Sequence, residues 1–242
     1  MFDGGEMTTD AGVLLLRQVD AKINLFDRVA ACFADGRLQV AVEYKIKDIV
    51  AQRVLGLTLG YEDLNGHEKL RHDLALQVAV DKTTSRRVDC APLAGKSTLN
   101  RLELSSEIGS RYCKTPHDPV KFENLFVDLF IEAHQRAPKK VILDLDATDD
   151  RLHGNQEGKF FHGYYQCYCY LPLLMFSGKH LLAAKLNSAD EDPGLRAIEE
   201  VKRIVGRIRA RWPNVRIIVR GDGGFCRNEL IQWCEENGST IC

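Results

Sequence analysis

The sequence has no apolar run approaching the roughly 20 residues that a membrane-spanning helix needs. Its first residues, Met1-Phe2-Asp3-Gly4-Gly5, lack the basic flank and apolar core of a secretory leader. A cytoplasmic location with no membrane partner is therefore expected. A cysteine framework is missing too. Of the eight cysteines, only Cys167 and Cys169 are close together, and no second pair stands at the spacing of a structural zinc site. Reduced, partly buried thiols are the reading this supports. There is no excess of positive charge, since 33 Lys+Arg against 34 Asp+Glu leave a net charge of -1. A nucleic acid would have to be held by local patches. Residues 196–220 form one basic stretch, with Lys202, Arg203, Arg207, Arg209, Arg211 and Arg216 opposed by Glu199 and Glu200. Alone, it reads as a solvated helix face.

At 242 residues and 45% hydrophobic content the chain can build one large or two modest cores. Its grammar changes near Lys139. Before that point apolar residues recur at helical spacing over residues 20–33, 44–59 and 122–134, and a further helix is expected after Ser97. The segment Gly60-Tyr61-Glu62-Asp63-Leu64-Asn65-Gly66 is a turn. Beyond Pro138 the pattern predicts strands over 141–146, 181–186 and 215–219, with one or two more within 164–176. Helices are expected over 194–212 and 228–237, the second capped by Gly238. Another strand is expected to begin where the sequence ends. Strand, strand, strand, helix, strand, helix is the order of an RNase H-like mixed sheet, although periodicity alone does not separate it from other α/β arrangements.

The carboxylates at the strand ends are the informative residues. Asp144 and Asp146 lie two apart on a predicted strand and so share a face. Burying an unpaired carboxylate costs several kcal/mol, so both must meet cations, backbone donors or solvent. Asp222 closes the 215–219 strand among Gly221, Gly223 and Gly224, which allow close approach of backbone and ligand. Ligands of open α/β sheets collect beyond the carboxyl ends of strands. Acidic strand ends meeting there form an oxygen-lined site suited to Mg²⁺ or Mn²⁺. Two such ions activate an attacking hydroxyl and stabilise a leaving phosphodiester oxygen. The plain alternatives are a solvated strand end, with Asp149 and Asp150 capping the next turn, and an ordinary aspartate in a glycine turn. His153, His162 and His180 match no metal motif. Tyr164, Tyr165, Tyr168 and Tyr170 suit base stacking or a plain sheet surface. Gly95-Lys96-Ser97-Thr98 lacks the upstream glycine and preceding strand of a phosphate-binding loop, but the segment from Lys96 to Arg101 can touch phosphate at a helix start.

Several strings together resemble one group of bacterial insertion-sequence transposases with a DDE catalytic domain. They are Leu143-Asp144-Leu145-Asp146-Ala147-Thr148-Asp149-Asp150, the aromatic run from Phe160 to Pro172, Arg220-Gly221-Asp222-Gly223-Gly224-Phe225-Cys226, and, earlier, Phe2-Asp3-Gly4-Gly5, Gly60 to Asn65, Leu70-Arg71-His72-Asp73 and Ser97-Thr98-Leu99-Asn100-Arg101-Leu102-Glu103. The resemblance implies a helical region over 1–137 that recognises terminal inverted repeats, with Lys96 and Arg101 on DNA. It implies the front of an RNase H-like catalytic domain over 138–242. The first catalytic, metal-holding aspartate would be Asp146, with Asp144 the lesser candidate, and the second Asp222. Two Mg²⁺ or Mn²⁺ ions, double-stranded DNA as transposon end and target, and a homodimer on paired ends are implied likewise. The family's third acid is a glutamate on a helix well beyond the next strand. Glu229, Glu235 and Glu236 stand too early for it. Both ends therefore read as clipped, the sheet is expected to expose apolar surface, and this chain by itself is expected to be inactive. Other readings stay open: a fragment that only binds DNA or protein, a decayed remnant, or a stand-alone nuclease.

Overall fold

The computed structural model describes residues 7–187 and 193–242, so the Phe2-Asp3-Gly4-Gly5 string and the side chain of Leu195 lie outside the described residues. The chain divides into two compact units, Met1–Phe122 and Glu123–Cys242.

The first unit is helical: α1 (Val13–Ile23), α2 (Leu25–Ala30), α3 (Ile46–Thr58), α4 (His67–Leu70), α5 (Leu74–Val80) and α6 (Lys96–Glu103). The single helix expected over 20–33 is split. Asn24 takes a left-handed conformation, φ 53° and ψ 39°, which asparagine tolerates better than most residues. The Asp20 carboxylate accepts the Phe26 N–H at 2.9 Å and so starts the second helix. A buried polar knot joins three segments. Gln52 of α3 donates to the Ala94 carbonyl at 2.8 Å, accepts the Ala94 N–H at 2.9 Å, and its amide nitrogen lies 3.3 Å from Nδ1 of fully buried His67. Gln52 thereby holds both backbone groups of the residue that leads into α6.

The second unit takes in most of α7 (Pro119–Glu132), followed by β1 (Lys140–Ala147), β2 (Asp150–Arg151), β3 (Phe160–His162), β4 (Cys167–Tyr170), β5 (Leu173–Ser177), β6 (His180–Lys185), α8 (Pro193–Arg211), β7 (Arg216–Arg220), α9 (Asn228–Glu236) and β8 (Ser239–Ile241). Five strands form one sheet in the order β6-β5-β1-β7-β8. β1, β5 and β6 pair antiparallel, while β7 and β8 run parallel to β1. This is the RNase H-like order. The strand expected to begin where the sequence ends is present as β8, although Ser239-Thr240-Ile241 is too short to show a period. The segment 164–176 is divided between two sheets: β5 joins the main one, and β4 forms a three-stranded arm, β2-β4-β3.

Alternate residues of the main sheet, among them Leu143, Leu145, Met175 and Ile217, bury against α7, α8 and α9. The opposite face, with Ile142, Leu174, Phe176 and Ile218, is half-buried. The basic stretch is spent largely within the unit. Arg203 bonds Glu200 at 2.6 Å, Arg207 grips Asp128 with two bonds of 2.8 and 2.7 Å, and Arg209 donates to the Asn237 and Gly238 carbonyls. All eight cysteines are free thiols. Burial pushes those of Cys32, Cys169 and Cys234 up from their ordinary value.

Candidate active site

β1 and β7 are adjacent and parallel, so their carboxyl ends reach the same sheet edge. Their last paired position is Asp144 opposite Arg220, and there the Arg220 Nε donates to the Asp144 Oδ1 at 2.5 Å. That hydrogen bond raises the Arg220 guanidinium above its ordinary value. Two residues further along each chain stand Asp146 and Asp222. Adjacent strands lie about 4.8 Å apart, so both aspartates follow the same edge of the sheet, Asp146 still on β1 and Asp222 in the turn after β7. Asp144 and Asp146 share a face but differ in state. Asp144 is engaged by Arg220, whereas exposed Asp146 has no hydrogen bond or ion pair among the described residues.

β1 continues past Asp144 because β5 supports it, with Asp146 opposite Leu174. β7 stops at Arg220 and turns. Asp222 caps the short 3₁₀ turn Gly223–Phe225, and its Oδ1 accepts the Gly224 N–H at 2.8 Å, while Oδ2 has no hydrogen-bond partner among the described residues. At Gly224 a β-carbon would stand 3.0 Å from that same Oδ1, so a larger residue there would press on the carboxylate. Buried Phe225 anchors the turn in the core. A cavity of about 360 Å³ opens beside it, lined by Leu145, Val219, Phe225, Leu230 and Ile241, with Asp222 the one acidic side chain among its described lining residues.

The arm begins just beyond Asp146. The Tyr165 phenol is raised first by its burial and then by the charges of Asp149, Tyr164 and Asp222, so the arm shares the electrostatic surroundings of Asp222. Asp149 pairs with Arg151 at 3.2 Å. Of the four tyrosines, Tyr165 packs with Cys169 and Leu171, and Tyr164 and Tyr168 are exposed. His162 stacks near Tyr165 and His180 near Phe130, at 4.9 and 5.4 Å between rings.

Asp146 and Asp222 are hard oxygen donors of the kind Mg²⁺ and Mn²⁺ select, and each retains an unbonded carboxylate oxygen. In that respect the donor set fits. No group of three His, Cys, Asp or Glu that could hold a metal occurs among the described residues.

In the first unit, Lys96 and Arg101 lie five positions apart on α6 and emerge on different sides. The Lys96 N–H at the helix start donates to the Glu68 carboxylate at 2.9 Å, and its ammonium reaches Asn65 at 3.5 Å. Arg101 instead lines a cleft with Thr98, Arg111 and Lys114.

The family described as "Transposase DDE domain group 1" matches residues 1–241. The chain belongs to this DDE transposase family. Two solved structures are similar to it, one described as "Mos1 transposase paired-end complex with left transposon end" and the other as "Crystal structure of a pre-cleavage Mos1 transpososome". They share 10% and 9% identity with it, at TM-scores of 0.31 and 0.29, and each comparison covers 100% of this chain and 61% of the other. The DDE transposase chain thus spans less than two thirds of those chains. No curated protein matches it. No helix among the described residues is long and apolar enough to cross a membrane. The sequence singled out Asp144, Asp146 and Asp222 as candidates but not the Arg220–Asp144 pair, whose only signal was opposite charge at two strand ends.

Proposed function

We propose that this chain supplies two carboxylates, Asp146 and Asp222, to the metal-dependent phosphodiester chemistry of a DNA transposase, cleaving transposon ends and joining them to target DNA. One observation carries the reading: each aspartate stands two residues past the Asp144–Arg220 pairing of the adjacent parallel strands β1 and β7, Asp146 on β1 itself and Asp222 in the turn that follows β7. Mg²⁺ or Mn²⁺, when bound, supplies the positive charge that activates the attacking hydroxyl and stabilises the leaving oxygen. Asp146 holds its carboxylate unpaired and exposed for that purpose. Asp222 holds one oxygen outward because the Gly224 N–H fixes the other. Arg220 neutralises Asp144, so the repulsion between neighbouring carboxylates is reduced before any cation arrives. The helical region binds the DNA ends, and action on two paired ends calls for a homodimer.

Incubation of the chain with Mn²⁺ and duplex DNA carrying the element's ends tests this. Asp146→Asn and Asp222→Asn should abolish Mn²⁺ binding and with it any nicking, while Asp144→Asn should lose less than about tenfold in Mn²⁺ affinity, since Asp144 has a structural partner. Nicking that survives Asp222→Asn would refute the role of Asp222. A second reading, a chain that binds DNA without cutting it, is favoured because no group of three His, Cys, Asp or Glu able to hold a metal occurs among the described residues. Mn²⁺ binding that depends on Asp146 and Asp222 but yields no nicking would select it.

A further inference from the structure

The first unit holds a cleft of about 330 Å³ whose lining includes Arg37, Arg101, Arg111 and Lys114 and no acidic residue. In a chain of net charge -1, four cations around one cavity without a carboxylate is a local inversion of charge. Arg37 is neutralised: it forms two 2.7 Å bonds with Asp35, whose carboxyl it holds below the usual range, and donates to the Tyr44 carbonyl. Arg101, Arg111 and Lys114 are exposed and have no acidic partner among the described residues. Thr98 lines the same cavity, as does Tyr112, which is 90% exposed. Buried Ile49 and Leu102 form the floor. Converging side chains on a packed floor lose less entropy on meeting a ligand than scattered surface lysines do.

We infer that Arg101, Arg111 and Lys114 form a clamp for consecutive phosphates of a DNA backbone, with Tyr112 against the adjoining sugar or base. Guanidinium groups match phosphate oxygens in paired hydrogen bonds, and the ammonium adds a point charge. The clamp deepens the transposase reading, because it names where the helical unit would grip the duplex. It reads charge and not sequence. The knot of Gln52 with Ala94 sets its geometry, by holding the backbone just before α6.

The test is duplex binding by the whole chain in EDTA, with no cleavage required, measured across a salt series. Each phosphate contact contributes about 0.9 to the slope of log affinity against log salt. Arg111→Gln/Lys114→Gln should therefore lower the slope by about 1.8 and weaken binding at least about tenfold at 0.15 M salt. The lining thiol of Cys113, held low by hydrogen bonds from Ser106, should alkylate several-fold more slowly in the wild-type complex, by peptide mapping. Unchanged affinity and slope in the double variant, with Cys113 unprotected, would overturn the clamp and leave the transposase reading standing. So would a wild-type chain that binds no duplex at low salt. The transposase reading fails separately, through metal-dependent nicking that ignores Asp146 and Asp222.

Discussion

Replacing Gly56 by alanine should destabilise the first unit, although the same change in an unobstructed helix stabilises. Gly56 lies in α3, and alanine is favoured over glycine in a helix interior by about 1 kcal/mol. At this position, however, a β-carbon would stand 2.6 Å from Cε1 and 2.9 Å from Nε2 of His67. The ring is fully buried and rests beside Gln52, which is itself tied to both backbone groups of Ala94. Overpacking of this kind costs about 1–3 kcal/mol. A ring that shifts enough to relieve it pulls on buried hydrogen bonds worth about 1 kcal/mol each. Subtracting the propensity gain leaves a net loss of about 2 kcal/mol. Both tryptophans, Trp212 and Trp233, lie in the second unit, so far-UV circular dichroism is the probe for a urea titration of the helical unit. With a slope of about 2 kcal/mol per molar urea, the midpoint should fall by about 1 M. The control is Gly206→Ala in α8, where a β-carbon meets nothing within 4 Å; it should gain up to about 1 kcal/mol. A Gly56→Ala midpoint at or above that of wild type would refute the reasoning, because the contact would then be soft.

The same knot gives a pH dependence. Burial lowers the His67 pKa, so its contribution to stability is full above the unfolded value of about 6.5 and is lost as pH falls, when the unfolded chain takes up the proton first. Between pH 7.5 and 5.5, wild type should lose more stability than His67→Gln; parallel losses would show that His67 does not couple to folding. In the second unit, Glu200 is buried and bonds Arg203 at 2.6 Å and Lys185 at 3.4 Å. Glu200→Ala leaves both cations with less compensation and should cost about 3 kcal/mol by tryptophan fluorescence, whereas a change under about 1 kcal/mol would mean the network is solvated. A disulfide-forming thiol reagent should modify exposed Cys226 and Cys242 first and reach buried Cys32, Cys169 and Cys234 only on unfolding; early reaction of Cys234 would mean that α9 opens.

Where side chains of one type repeat on one face, the sequence already shows the element. The stripe Ile198, Val201, Val205 and Ile208 of α8, continued by Trp212 just past its end, is buried as its spacing requires, and the run from Val141 to Asp146 is a strand with alternating burial. What could not be read are the features decided by a single backbone angle or by a distant partner. Asn24 breaks one helical period into two helices through its own φ, β8 has too few residues to show a pattern, and β2, β3 and β4 become an arm only because they pair with one another. The same division runs through the candidate sites. Acidity at a strand end is legible, and it marked Asp144, Asp146 and Asp222 alike. Which of the first two is free depends on the β1–β7 register, since that register sets Arg220 beside Asp144. Likewise Arg111 and Lys114 are unremarkable cations in a loop until the fold places them beside Arg101 with no acid among them. Charge availability is thus the property that emerges only in three dimensions. Both proposed sites rest on it, one on a carboxylate without a cation and the other on cations without a carboxylate.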